Sequence, residues 1–225
     1  MKNKLTNRQE PRRLKTRAAL LEAGLKLFAE RAVDTISIDD IVQQAGVAKG
    51  SFFNHFADKG EFASAVAMNI RIGIEVNIAA VNRDVTDPAL RLAQGICSFV
   101  QFALLDRQAA KSFARARLKS IGVGHPLDAG LRTDVKLGIE SGRFSLSNVV
   151  TGEVCVVGVT QKLLTLIMAK KASPDEAKAL SANVLTVLLT GLGIEPNEAR
   201  CLSIASARSL IECAPRSGGQ FFLQK

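Results

Sequence analysis

The sequence predicts an all-α protein, with a short helix-turn-helix near the N-terminus and a larger helical region behind it. Three observations carry that prediction. Apolar residues recur at i, i+3, i+4 and i+7 through nearly every segment, and the alternation of a half-buried strand is sustained nowhere. Capping residues and glycine stops punctuate the chain at helical lengths. Of the 225 residues, 47% are apolar and 23% charged, a balance that suits a globular fold and excludes disorder throughout.

The elements follow in order. Leu20, Gly24, Leu27 and Phe28 line one face of a first helix, expected from about residue 12 to residue 31. A second, short helix starts at Ser37, with Asp40 three residues on as its capping-box partner. Ile36 and Ile41 flank that cap at hydrophobic-staple spacing. Ile38, Ile41, Val42 and Ala45 form the inward face, and Gly46 suits the left-handed residue that ends a helix. Asp39 and Asp40 match the positive end of its dipole. A third helix is expected over 48–55, with Val47, Phe52 and Phe56 inward. Lys49, Gly50, Ser51, Phe53, Asn54 and His55 are left outward. Asp58, with Glu61 as its capping-box partner and Phe62 as the first apolar residue, opens a fourth helix reaching to about residue 81.

Behind it, Asp87-Pro88 is a cap followed by a first-turn proline, opening a helix that carries Leu92, Ile96, Phe99 and Val100. Another is expected over 109–120, then a loop at Gly122, Gly124 and Pro126. Leu127, Leu131, Val135 and Ile139 make an i+4 ladder closed by Gly142. A long apolar helix spans about 149–170. Ser173-Pro174-Asp175-Glu176 starts the next, which Gly193 stops, and Glu195-Pro196 opens the last, to about Cys213. The resulting division is a flexible basic arm (1–11), a helix-turn-helix domain (12–57), a helical region (58–213) and a flexible tail (214–225).

Charge and motif content narrow the function. Lys and Arg number 30 against 21 Asp and Glu, a net charge of +9. Within the first twenty residues Lys2, Lys4, Arg8, Arg12, Arg13, Lys15 and Arg17 face Glu10 alone. Such a balance points to a polyanion partner. Cys97, Cys155, Cys201 and Cys213 form no CxxC pair, and their spacings fit no zinc template, so reduced cysteines are expected. His55 and His125 are the only histidines and sit in no metal-binding motif. Neither a metal nor a cofactor is implied, and no convergent catalytic set can be assembled. The apolar stretch Val149–Met168 is interrupted by Glu153, Gln161 and Lys162. The charged N-terminus does not resemble a signal peptide. A cytoplasmic protein without membrane association is expected.

Residues 37–55 therefore read as helix, glycine-containing turn, helix, the pattern of a helix-turn-helix. Its outward second helix is small and nearly uncharged. Gly50 and Ser51 allow close approach of a backbone. Lys49 and His55 can meet phosphates, and Asn54 can reach a base edge.

The order Thr16-Arg17, Leu27-Phe28-Ala29-Glu30-Arg31, Thr35-Ile36-Ser37-Ile38-Asp39-Asp40-Ile41, Ala45-Gly46-Val47-Ala48-Lys49-Gly50-Ser51-Phe52-Phe53-Asn54-His55-Phe56 and Lys59 resembles the DNA-binding domain of the tetracycline-repressor (TetR/AcrR) family of transcription regulators. Gly138-Ile139-Glu140-Ser141-Gly142-Arg143-Phe144 is a segment type often seen in its second domain. The resemblance implies an N-terminal three-helix DNA-binding domain, a C-terminal helical ligand-binding and dimerisation domain, and a homodimer on a palindromic operator. It also implies a repressor released by a small-molecule effector. Carried over by position, Ser37 and Lys59 touch backbone phosphate, and Lys49 to His55 supply the recognition helix, with Ala48 at its cap also counted among the DNA-binding residues. Phe53 departs from the family's usual tyrosine, Ala48 from its usual serine or threonine cap, and Gly60 from an acidic residue.

Two further sets complete the expectation. Cys97, Phe99, Phe102, Phe113, Arg117, Phe144 and Thr160 are candidates for an effector pocket, and an inward Arg115 or Arg117 would point to an acidic effector. Val154, Val157, Gly158, Gln161, Leu164, Val184, Val187, Leu188 and Gly191 are candidates for a dimer face, because those two helices carry more apolar surface than one neighbour covers. The competing readings are a basic nucleic-acid binder without sequence preference and an enzyme on a helical scaffold.

Overall fold

The computed structural model describes residues 6–117 and 128–211, and every regular element among them is helical. The helices are α1 (Thr6–Glu30), α2 (Ile38–Ala45), α3 (Lys49–Phe53), α4 (Lys59–Val81), α5 (Pro88–Leu105), α6 (Arg107–Arg117), α7 (Ala129–Glu140), α8 (Val149–Ala169), α9 (Pro174–Gly191) and α10 (Pro196–Ile211), with a 3-10 turn at Val33–Thr35. His125, Cys213, Leu127, the loop at Gly122, Gly124 and Pro126, and the tail 214–225 lie outside the described residues, as do Lys2 and Lys4. Of Arg8 and Arg117 only the helical backbone is described.

Two compact units result. The first holds, among described residues, 6–71 and 108–117; the second holds 72–107 and 128–211. The dividing point falls inside α4, after Arg71.

In the first unit α1 begins at Thr6, six residues before the expected start, so residues 6–11 of the expected arm are helical. The run contains Arg8, Gln9 and Glu10, good helix formers, and extends a helix anchored by its buried end. Leu20 and Phe28 have no exposed surface. Gly24 lies against α4: a Cβ there would meet the Phe62 ring at 2.6 Å. Phe62 is the hub of the small core. Its ring lies 5.8 Å from Phe28, 5.4 Å from Phe52 and 5.0 Å from Phe56, joining α1, α3 and α4. Edge-on and tilted pairs at such distances are favourable beyond their burial. From α6, the Ser112 hydroxyl donates to the Leu25 carbonyl, and Arg115 Nη1 donates to the carbonyls of Phe28 (2.8 Å) and Arg31 (3.4 Å). A guanidinium thus satisfies carbonyls that the end of α1 leaves without intrahelical partners. Arg115 is engaged there, which corrects the idea of an inward charge awaiting an acidic effector.

In the second unit α5 is central. It packs against α7, α8, α9 and α10, and eleven of its residues are buried. Two part-buried ion pairs, each with a buried carboxylate, tie helices together: Arg91 Nε to Asp134 Oδ1 at 2.6 Å links α5 to α7, and Arg132 Nη1 to Glu153 Oε1 at 3.2 Å links α7 to α8. Such pairs add little net stability but make one register far better than its neighbours. By length and composition α4, α5 and α8 could each cross a membrane, α8 with the interruptions at Glu153, Gln161 and Lys162. The apolar face of α5 is turned into its own unit, and the Glu153 of α8 is held in its ion pair.

The turn after α7 explains the glycine-rich segment there. The Gly142 φ is +70°, a conformation disfavoured for other residues. The chain folds back so that the Phe144 N–H donates to the Gly138 carbonyl at 2.8 Å and its ring covers Gly138. Arg143 then grips Asp87 (Nε–Oδ1 2.9 Å, Nη2–Oδ2 3.0 Å) and Glu198 (Nη2–Oε1 2.6 Å, Nη1–Oε2 3.0 Å). The turn after α7, the N-cap of α5 and the first turn of α10 meet at that guanidinium.

Candidate nucleic-acid interface

The helix-turn-helix is built by local rules. The Asp40 N–H donates to Ser37 Oγ (3.0 Å), and the Ser37 N–H donates to Asp40 Oδ2 (2.9 Å), which fixes the start of α2. The Ser37 hydrogen bonds, with Arg31 3.5 Å away, hold the Asp40 carboxyl below the usual range. Gly46 ends α2 at φ +66°, and the chain reverses into α3. Ile41 and Phe52 are buried between the two helices, and Val47 is half-buried.

The second helix is shorter than expected. Ala48 is its N-cap rather than a helical residue and offers no side-chain acceptor; Asn54 is its C-cap, so α3 proper is Lys49–Phe53. Lys49, Gly50, Phe53 and Asn54 are exposed, and Ser51 and His55 are half-exposed. A Cβ at Gly50 would meet nothing within 4 Å, so its small size matters only toward something outside the chain. Phe53 stands 51% exposed, a large ring with nothing of this chain covering half of it.

Both candidate phosphate-binding lysines have partners within the domain. Lys49 Nζ lies 2.9 Å from Asp39 Oδ1 and stays more than half exposed. Such an exposed pair is weak and exchanges readily for another anion. Lys59 Nζ instead donates to the carbonyls of Ile36 (2.8 Å) and Asp34 (3.1 Å). It ties the start of α4 to the turn that precedes Ser37. Asp58 caps α4 by accepting the Glu61 N–H (2.8 Å), while the Glu61 carboxylate reaches back to the Ala57 N–H rather than that of Asp58.

A second basic surface, drawn from the arginines of the basic N-terminal run, adjoins the end of α3. Arg17 lies over the Phe56 ring, 5.5 Å from its centroid, and the His55 ring is 6.2 Å from that same ring. Partial burial, then the charges of Arg13 and Arg17, lower the His55 pKa from 6.5. Arg13 and Arg17 lie within the helix expected from residue 12 and are named there for their charge; their spacing of four, running on to Leu20, Gly24 and Phe28, puts them on one face of it.

The other candidates sort differently. Cys97, Phe99, Phe102, Phe144 and Thr160 are buried in the second unit, whereas Phe113 is buried in the first. Burial pushes the Cys97 thiol up to about 12, leaving it unreactive. The Thr160 hydroxyl donates to the Val156 carbonyl at 2.7 Å. On α8 and α9, Val154, Gly158, Val187 and Gly191 are exposed, and Val157, Gln161 and Val184 are half-exposed. Leu164 and Leu188 are buried in their own unit, because their helical phase points them inward, and they do not belong to the outward stripe. Among the described residues no group of His, Cys, Asp and Glu has a metal-binding arrangement.

A basic helix-turn-helix domain continued into a separate helical unit is the architecture of a DNA-binding transcription regulator. Residues 20–66 match the family described as "Bacterial regulatory proteins, tetR family", and residues 87–206 match the "Tetracyclin repressor-like, C-terminal domain". The chain belongs to the tetR family. The HTH-type transcriptional repressor DhaR of Mycobacterium sp. (strain GP1) is 33% identical over 82 residues, 36% of this chain and 41% of that protein. The HTH-type transcriptional repressor BepR of Brucella suis biovar 1 (strain 1330) is 32% identical over 95 residues, 41% of this chain and 46% of that protein. The matched regions span less than half the length of these two relatives. Among solved structures, RolR in complex with resorcinol superposes with a TM-score of 0.62 at 25% identity, over 86% of this chain and 95% of that one. FadR from Bacillus subtilis in complex with stearoyl-CoA shares the fold, with a TM-score of 0.62 at 19% identity over 77% of this chain and 98% of that one.

Proposed function

We propose that the chain is a cytoplasmic, homodimeric repressor, not an enzyme, that leaves a palindromic DNA operator when a small molecule binds its second unit. The observation that carries this reading is the exposed end of the helix-turn-helix. Gly50, Phe53 and Asn54 are exposed beside the aromatic core; a Cβ at Gly50 would meet nothing within 4 Å, and Phe53 rests edge-on against Phe52 with half of its surface open. In the complex Lys49 exchanges Asp39 for a phosphate, and the Ser37 region meets the backbone. Ala48 and Ser51 allow close approach, Phe53 packs on sugar or a thymine methyl, and Asn54 reads a base edge. Lys59 adds positive charge near the backbone while holding the turn before Ser37.

Dimerisation is assigned to the outward stripe of Val154, Val157, Gly158, Gln161, Val184, Val187 and Gly191. Pairing across it places two recognition helices about 34 Å apart, in successive major grooves. The effector site is assigned to the second unit, among Cys97, Phe99, Phe102, Phe144 and Thr160. RolR and FadR, which share the fold, were crystallised with resorcinol and stearoyl-CoA respectively, and that supports a small-molecule site here. A ligand acts by binding better to one spacing of the recognition helices than to the other.

The test is selection of duplexes from a random-sequence pool, then a footprint on DNA flanking the gene. Enrichment of a palindrome supports the proposal; equal retention of all sequences at fixed salt would instead establish a non-specific binder. Asn54→Ala should relax preference at one position, at a cost of about 1–3 kcal/mol. Lys49→Ala should weaken all sequences alike.

A further inference from the structure

Two arginines of α1 converge on the end of the recognition helix. Arg17 is held over the Phe56 ring, and His55 packs beside that ring. Arg13 lies one turn before Arg17, and both charges act on His55. Among the described residues neither arginine has a carboxylate partner, and no carboxylate acts on His55. Arg13 and Arg17 are exposed, and His55 is half-exposed. The other charged groups near this end are engaged elsewhere: Lys49 with Asp39, Lys59 with two carbonyls, and Asp58 with the Glu61 N–H. Cationic groups gathered without an anion repel one another, and a bound anion relieves that repulsion. Asn54, the last outward residue of the recognition helix, immediately precedes His55, so the cluster continues the surface that faces DNA.

We propose that Arg13, Arg17 and His55 form one phosphate-binding site, built across α1 and the end of α3, that grips a backbone phosphate of the bound duplex. The proposal rests on the chain being a DNA-binding regulator, and it adds a first-helix contact to the recognition helix. Stacking on Phe56 pre-positions Arg17, so little side-chain freedom is lost on binding.

The site has a pH signature. In the free protein burial and the two arginines favour neutral His55. A phosphate opposes both arginine charges and favours the imidazolium, so the complex has the higher histidine pKa. DNA binding then takes up a proton, and affinity rises as pH falls through the interval between the two pKa values. The limit is tenfold per pH unit for each proton taken up.

The experiment measures affinity of the full chain for a random-sequence duplex of fixed length and for the selected duplex, across salt and pH. Arg17→Gln and Arg13→Gln should each lower the salt slope by about 0.9 for every phosphate that a subunit no longer neutralises, on both duplexes alike. Arg17→Lys should keep most of the slope. His55→Gln should abolish the rise in affinity toward low pH. The chain has two histidines, so His55 can be followed by NMR and identified by the disappearance of its signal in that variant. Its pKa should lie below 6.5 in the free protein and rise on the duplex. Unchanged slopes in both arginine variants, with wild-type thermal stability, would overturn the proposal, as would a His55 pKa that DNA does not raise. Because phosphate contacts ignore sequence, these outcomes are readable on the random duplex even where no palindrome is enriched, which is the failure of the regulator reading.

Discussion

Replacing Gly138 by alanine should destabilise the second unit, although alanine is the better helix former. Two effects oppose each other. In a helix interior, glycine to alanine gains about 1 kcal/mol from propensity alone. Against that, a Cβ at residue 138 would lie 2.0 Å from Phe144 Cδ2 and 2.2 Å from Cε2. Those separations are more than 1 Å inside ordinary carbon contact of about 3.5–4.0 Å. Phe144 is 3% exposed and tethered by its N–H to the Gly138 carbonyl, so its ring cannot swing away freely. Overpacking of a filled site costs about 1–3 kcal/mol or more. An overlap this deep belongs to the upper part of that range, about 2–3 kcal/mol, so a net loss of about 1–2 kcal/mol should lower Tm by about 2–8 °C. Thermal and urea unfolding of the full chain measure it. Phe144→Leu in the same chain should recover part of the loss, with a coupling of at least about 0.5 kcal/mol in the double-mutant cycle. An alanine variant as stable as the wild type, or additive single and double variants, would refute the ring-on-glycine argument.

Arg143→Met should cost about 1 kcal/mol through its pairing with Asp87, a half-exposed bond discounted for solvent. Asp87 and Glu198 both titrate below their usual range, mainly through hydrogen bonds from Arg143. Their contribution is therefore present above the unfolded carboxylate pKa and is lost as pH falls through the folded one. Stability-pH curves should show a shallower acid limb in the variant. Val187→Glu places a charge at a site 75% exposed, so the fold should persist while sedimentation shows monomer; an unchanged dimer would remove α9 from the interface. Lys59→Met removes the ammonium donated to Ile36 and Asp34, and should lower the stability of the first unit by about 1 kcal/mol. If it instead changed only the salt dependence of DNA binding, Lys59 would be a phosphate contact first and a clamp second.

The local features of this protein were legible in the sequence because their partners lie within four residues. The Ser37–Asp40 box, the Asp87 cap before Pro88, the Ser173–Glu176 box and the Gly46 stop depend on neighbours along the chain, and each stands where residue type and spacing put it. The helix-turn-helix is such an assembly of short-range signals, which is why its outward residues could be named in advance. The start of α1 was not legible in this way: the helix runs through Pro11, a residue that ordinarily opens or breaks one.

Only packing decided the rest. Lys59 reaches carbonyls more than twenty residues away, and Arg115 reaches one 87 residues away, so neither partner leaves a local trace. Leu164 and Leu188 are apolar on apolar helices, where composition cannot choose between an inward and an outward phase; contact with the rest of the unit turns them in. Gly138 and Phe144 are ordinary residues until a left-handed turn at Gly142 lays one on the other. A side chain's type states what it can bond or bury. Which group it meets is set by the crossing of helices distant in the chain, and that crossing is a property of the folded whole.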